Sequence, residues 1–354
     1  MADSDGLLQV RSRTQSQKLI SGNGKMQLSL FFKILIIMFC LILISLIGYG
    51  TYLFFQLRST TLAIGTNEDV RSEDRADVKP ITLLILGTDY REQTRTANTD
   101  VIMLLTMNPI NKTATLVSIP RDTYIKPTDI KGNKANSFYA AFLYSSSFKS
   151  APQDKTERQG FAMDRIKLLF SEFLDISIDY VTILNFQAFV DVIDAFGGLE
   201  IDVDQDMCHK DSADGSNINL KMGLQTLNGK NSLDFVRYRQ SMNCDPKTEV
   251  SSDYERNLRQ QLVLSQLIGK VKSPKALTKV ENIFKAVEEN VHTDLPSEQI
   301  QAILRTYVGI SQEKIEFVGL KGNWDGHYVR IKKDDIIQAS NSLKNQLIIE
   351  KKSK

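Results

Sequence analysis

A chain of 354 residues with 42% apolar content can bury one large core or two small ones. Its 44 basic and 42 acidic residues leave a net charge of +2. A generic nucleic-acid binder carries a large basic excess, so no nucleic-acid partner is expected, and any anion recognition must come from a local arrangement of charge.

The first distinct element runs from Ile34 to Phe55, ILIIMFCLILISLIGYGTYLFF, without a charged residue. About 20 apolar residues suffice to span a bilayer as a helix. A cleaved signal peptide has a shorter apolar region and a small-x-small site, which is not found nearby. Arg11, Arg13, Lys18, Lys25 and Lys33 precede the segment; Arg58 and the acidic residues Glu68, Asp69, Glu73 and Asp74 follow it. Basic flanks stay cytoplasmic. Residues 1–33 therefore read as a cytoplasmic tail, 34–55 as a single-pass anchor in the cell membrane, 56–79 as a polar linker, and 80–350 as one extracellular domain.

Within that domain, Ile81–Leu86 and Val101–Met107 are nearly continuous apolar runs, as in strands buried on both faces. Ala114–Ile119 follows a turn-like Asn108–Lys112 and suggests a hairpin. Lys134–Tyr144 and Thr156–Leu174 read as helices, Tyr180–Asn185 as a strand, and Phe186–Phe196 as a helix closed by Gly197 and Gly198. Leu199–Val203 is a further short strand. Asp253 opens a long helix with Leu264, Leu267, Ile268 and Val271 on one stripe. Helical patterns recur at 276–290, 296–308 and 333–347, with a strand at Ile315–Leu320. The fold class is α/β, a mixed sheet sandwiched by helices.

Charged residues gather at the ends of these elements. Asp89 and Arg91 follow the first strand, Asp100 opens the second, and Arg121 and Asp122 follow the third. Ligands of open α/β sheets bind beyond the carboxyl ends of strands, so these are candidates for one cleft, with Asp100 joining if its strand is antiparallel. Arg237 and Arg239 share a face only if the chain there is extended. Arg256 and Gln260 share a helical face in the first turns of the long helix, where free N–H groups favour an anion. Singly, each arginine reads as a solvated or ion-paired surface residue, and Asp89 or Asp100 as a turn former or cap. Their recurrence beside apolar structure is what points to a site. Arginine forks bind phosphate oxygens, and paired carboxylates hold Mg²⁺ with substrate phosphate completing its shell. Together they are the groups of phosphoryl transfer. GxxxxGK[ST], GxSxG and HExxH are absent, and three scattered histidines do not suit common zinc chemistry.

Cys40 falls in the apolar segment; Cys208 and Cys244 fall in polar, turn-rich stretches of the exported part. Two cysteines in an oxidising compartment pair, so a Cys208–Cys244 disulfide is expected over a metal pair with His209.

The ordered strings LILGTDYR, TDVIML, SIPRDTYI, FGGLEIDV, LNGKNSLDFVRYR and DYERNLRQQ, from Ile81 to Val271, resemble the LytR–CpsA–Psr family of cell-envelope proteins. The resemblance implies an α/β domain whose sheet and helices enclose an apolar groove for a prenyl tail. It implies transfer of a phospho-glycopolymer from a polyprenyl-pyrophosphate carrier to a peptidoglycan sugar hydroxyl, aided by Mg²⁺ (or Mn²⁺). It makes Asp89 and Asp100 the metal-site residues, and puts Arg121, Arg237, Arg239, Arg256 and Gln260 on the pyrophosphate; Arg91, from its place after the first strand, is a further substrate-binding candidate. Asp89 and Asp122 both stand as candidate bases. Asn98 occupies a place where the family often has arginine, so one phosphate contact is altered. A polyprenyl-pyrophosphate hydrolase and a non-catalytic lipid-binding regulator remain as alternatives.

Overall fold

A computed structural model describes residues 30–88, 97–127, 134–144, 151–211, 216–251, 253–271, 273 and 279–349. The chain divides into two compact units at Tyr52 and Leu53. Helix α1 (Leu30–Ile64) supplies the described part of the first unit and continues into the second. Its stretch Leu41–Ile64 has the length and apolarity to cross a membrane, with none of the apolar window buried within the protein. The expected tail, 1–33, lies almost wholly outside the described residues.

The second unit begins with β1 (Ile81–Thr88), β2 (Thr99–Asn108) and β3 (Thr113–Ser118), the three apolar runs of the sequence. Helices α2 (Phe138–Tyr144) and α3 (Lys155–Leu174) follow. Asp154 caps α3, its carboxylate accepting from the amides of Thr156 at 2.9 Å and Glu157 at 3.0 Å. Then come β4 (Tyr180–Asn185) and α4 (Phe186–Ala195), after which Gly197 and Gly198 take φ of 78° and 90°, the conformation their sequence anticipated. A polar segment folds into β5 (Leu199–Val203), β6 (Met207–Asp211), β7 (Ser216–Leu220) and β8 (Gly223–Leu227). The chain continues through α5 (Gly229–Arg237), α6 (Asp253–Val271), α7 (Val280–Asn290), β9 (Val291–Thr293) and α8 (Ser297–Tyr307). It closes with β10 (Ile315–Gly319), the hairpin β11 (Gly322–Trp324) and β12 (Val329–Ile331), and α9 (Lys333–Leu347).

Six strands form one mixed sheet in the order β10-β3-β2-β1-β4-β9. β1 and β4 run parallel, as do β3 and β10, while β2 is antiparallel to both its neighbours. Alternation then sorts side chains between two faces. Leu84, Leu86, Ile102, Leu104, Val117, Val181 and Ile183 enter a core built with Phe138 and Phe142 of α2, Ile166 and Phe170 of α3, and Leu343 of α9. Burying such side chains contributes about 1.5–3 kcal/mol each and fixes this half of the domain. The alternate residues face a groove, described below. The ribbons β5–β8 and β6–β7 pack with α4, α5 and α6 around Ile193, Ile201, Phe235 and Tyr238 as a second core.

Residues 56–79 are not the linker their polarity suggested. Thr60, Thr61 and Ala76 are buried. Gln299 and Gln301 of α8 hold the segment: Gln299 accepts from the Ala76 amide at 2.7 Å, and Gln301 donates to the Thr61 hydroxyl at 3.1 Å. Small polar residues bury readily once hydrogen-bonded, so the domain starts well before residue 80. The helix expected from Lys134 is a 3₁₀ turn at Ala135–Ser137 leading into α2.

Candidate active site

Because β1, β3 and β4 run one way and β2 the other, Thr88, Ser118 and Asn185 at strand ends meet the start of β2 on one edge. There the β1–β2 ladder slips: Gly87 pairs with Val101, but Thr88 pairs with Thr99. Asp100 is the extra residue of this bulge, and bulges re-aim side chains. Asp100 and Val101 consequently both line the groove although they are consecutive. Asn98 is exposed and is not among the residues that line the groove.

Asp100 accepts from Arg121 at 2.6 Å. Next to it, Asp122 is 7% exposed and gathers three cations. Lys134 donates to its Oδ1 at 3.0 Å, Arg239 to its Oδ2 at 3.0 Å, and Arg121 lies 3.6 Å away. Burial opposes ionisation of Asp122. The hydrogen bonds from Lys134 and Arg239, with the charge of Arg121, outweigh burial and hold the carboxyl below the usual carboxylate range. A carboxylate so stabilised is a weak base. Its geometry suits it to holding Arg239 and Arg121 in place.

Arg237 and Arg239 reach the same groove by a change of backbone. Helix α5 ends at Arg237, and Tyr238 turns extended at φ −57°, ψ 130°. Tyr238 is fully buried, its hydroxyl 2.6 Å from the Thr248 hydroxyl and 2.8 Å from the Glu249 carbonyl that accepts from it. With the central tyrosine pinned inward, the flanking arginines both line the groove. Arg237 also lies 5.2 Å from the Phe186 ring centroid. On α6, Arg256, Gln260, Val263, Leu264, Leu267 and Ile268 form one face along the groove, as the helical spacing requires. Arg259 of the same motif points elsewhere, gripping Asp204 at 2.9 and 2.6 Å and Ser251 at 2.8 Å.

Behind this charged mouth is an apolar interior. Ile85 of β1, Met103, Leu105 and Met107 of β2, Leu116 of β3 and Ile315 of β10 form one wall, facing α6 across a cavity of about 630 Å³. Tyr307 lies on its lining, its hydroxyl buried without a hydrogen-bond partner, and burial pushes the phenol up. The whole is a single groove, apolar within and ringed by Arg121, Arg237, Arg239 and Arg256 at one end.

Asp89 and Arg91 lie outside the described residues. Among the described residues no group of three or more His, Cys, Asp or Glu side chains is gathered to hold a metal. Asp100 still offers a hard oxygen donor at the mouth. Mg²⁺ or Mn²⁺ needs only one or two carboxylates when substrate phosphate and water complete the shell, so this donor fits such an ion. Cys208 and Cys244 are joined in a disulfide, with Cα atoms 6.1 Å apart, tying β6 to the loop after Arg239. Sequence reasoning missed Lys134, Asn185, Phe186 and Phe189. Lys134 has no motif around it, and its role appears only when the turn before α2 brings it to Asp122.

A model of the LytR_cpsA_psr family matches residues 51–348. The polyisoprenyl-teichoic acid–peptidoglycan teichoic acid transferase TagV of Bacillus subtilis is 28% identical over 302 residues, covering 82% of this chain and 71% of that protein. TagU of Bacillus subtilis, a transferase of the same name, is 30% identical over 292 residues, 79% of this chain and 84% of the relative. The crystal structure of B. subtilis TagV superposes with a TM-score of 0.56 at 26% identity, over 76% of this chain and 97% of that one.

Proposed function

The chain belongs to the LytR–CpsA–Psr family, and on that premise we propose that it transfers a phospho-glycopolymer from a polyprenyl-pyrophosphate carrier to a peptidoglycan sugar hydroxyl. The observation that carries the proposal is the continuity of one groove, apolar inside and arginine-ringed at its mouth. Such a groove fits an amphiphile with an apolar tail and a multiply charged head. The prenyl chain lies between Met103 and Leu105 on one side and Leu267 and Ile268 on the other. The pyrophosphate rests on Arg121, Arg237, Arg239 and Arg256, with Gln260 beside them.

Asp100, with Asp89, would hold Mg²⁺ or Mn²⁺, which when bound neutralises charge on the diphosphate. The acceptor oxygen bonds to the polymer-proximal phosphorus. The bridging P–O bond breaks, and its electron pair leaves with the prenyl phosphate. Arginines fixed by Asp100 and Asp122 meet the developing charge without having to reorganise. The hydroxyl proton passes to a base, a role for which Asp89 remains the candidate once Asp122 is committed to Lys134 and Arg239. The helix Leu41–Ile64 anchors the protein, with basic residues of the N-terminal segment on the cytoplasmic side and the catalytic domain outside.

The test uses the full chain in detergent with a polyprenyl-pyrophosphate disaccharide, with and without peptidoglycan. Glycan should load onto the wall, and prenyl phosphate should appear only when acceptor is present. Equal release without acceptor would make the protein a hydrolase. Bound polyprenyl lipid with no turnover would make it a non-catalytic binder.

A further inference from the structure

Outside the groove, the β11–β12 hairpin presents the only tryptophan of the chain to solvent. Trp324 is 55% exposed, yet the hairpin around it is firmly held. Asp325 accepts from the amides of His327 at 2.9 Å and Tyr328 at 2.7 Å, and from Arg330 Nε at 2.6 Å. The Arg330 guanidinium lies 3.7 Å from the Tyr124 ring centroid and 5.1 Å from that of Tyr328. Those two rings meet edge-on at 5.1 Å. Val329 completes the attachment: it accepts from the Tyr124 amide at 3.0 Å and donates to the Asp122 carbonyl at 2.8 Å.

The platform is continuous with the charged mouth. Lys134 Nζ is 5.5 Å from the Trp324 ring centroid and 3.0 Å from Asp122 Oδ1, and Asp122 in turn holds Arg239 at 3.0 Å. Arg121 and Arg239 line the groove, whereas Asp122, Tyr124, Lys134 and Trp324 do not. The indole is therefore outside the groove lining, next to the charged mouth. An in-line displacement brings the nucleophile to phosphorus from the side opposite the leaving prenyl phosphate; with the prenyl tail in the groove that side faces outward, and the platform adjoins the mouth through Lys134 and Asp122. A rigid, exposed ring flanked by cations suits a pyranose, whose C–H face packs on the π surface while its hydroxyls reach polar neighbours.

We propose that Trp324, with Lys134 and Arg330 beside it, forms the subsite for the acceptor sugar, a pyranose of the wall glycan whose hydroxyl is thereby delivered past Asp122. The acceptor role rests on the transferase reading of the groove. The full chain in a sugar-free detergent is titrated with chitotetraose and, separately, with a polyprenyl-pyrophosphate disaccharide. Since there is one tryptophan, its emission reports on this position alone. The tetrasaccharide should change the emission saturably and the lipid donor should not. Trp324→Ala should raise the acceptor KM about tenfold with the donor KM unmoved, and Trp324→Phe should recover part of the loss. A raised donor KM in Trp324→Ala would assign the platform to the donor and overturn the proposal. Emission indifferent to the tetrasaccharide, with normal loading of the wall, would overturn the sugar site and leave the groove reading standing. Donor turnover that never loads glycan, with emission still responsive, would overturn the groove reading and leave the sugar site.

Discussion

Met103 and Leu104 are neighbours on β2 and point to opposite faces of one sheet. Leu104 joins the core closed by α2, α3 and α9, whereas Met103 borders the groove under α6. Both side chains are apolar, and both are largely removed from water. Apolarity decides that a residue leaves solvent; it does not decide whether protein fills the space in front of it. On the closed side the phenylalanines of α2 and α3 fill that space. On the open side Gly87 and Ala114 add little bulk, and a cavity remains between the sheet and α6.

The contrast can be broken by substitution. Leu104→Ala should cost about 2–5 kcal/mol, as removal of a close-packed core side chain does, measured by denaturant unfolding of the full chain. Met103→Ala should cost about 1 kcal/mol, because its neighbours already border a void. Equal losses would mean that the groove is packed as tightly as the core. Arg121→Ala, at the mouth of the open face, should lower transfer roughly a hundredfold to a thousandfold while the melting temperature moves little. Leu267→Trp should fill the groove: stability holds, and donor affinity falls about tenfold or more. Undiminished lipid binding by that variant would place the tail elsewhere.

The smallest effect concerns pH. Asp122 has a folded pKa below its unfolded value, so its stabilisation is fully present above the ordinary carboxylate pKa of about 3.9 and is lost as pH falls through the lower folded value. Melting curves of Asp122→Asn and the unaltered protein should differ at pH 7 and draw together as pH falls through that lower folded value. A constant difference across that range would show that the carboxylate charge contributes nothing.

How much of this was legible in the sequence depends on which residues carried it. The central strands were plain because ITLLIL and VIMLLTM are apolar on both sides, which only a sheet covered on both faces requires. The ribbon β6–β7, and β8 as the partner of the expected strand β5, were hidden because MCHKD, SNINL and GLQTL are short, with few apolar side chains to reveal a period. The motif arginines were found, but their geometry was not. Whether Arg237 and Arg239 converge depends on the backbone at Tyr238, and that is set by hydrogen bonds to Thr248 and Glu249 further along the chain. Asp100 was nominated for its place at a strand mouth, and the bulge that aims it has no signature in TDVIML. Asn98 was nominated by likeness to a family pattern, and it is exposed, outside the groove lining. Polarity in residues 56–79 does not mean solvation, because Gln299 and Gln301, far along the chain, partner Ala76 and Thr61.

One consequence follows from the turn between β2 and β3. Because both faces of β2 carry interchangeable apolar residues, hydrophobicity alone would tolerate a slip by one position, exchanging the residues that greet the lipid for those that seal the core. Asn108 supplies the missing instruction. Its Oδ1 accepts from the amides of Ile110 at 3.0 Å and Asn111 at 3.3 Å, its Nδ2 donates to the Gln346 carbonyl at 2.7 Å, and Lys112 completes the turn at φ 51°. One asparagine, remote from the arginines, thus ties down the turn next to a two-sided strand, one half of which becomes container and the other foundation.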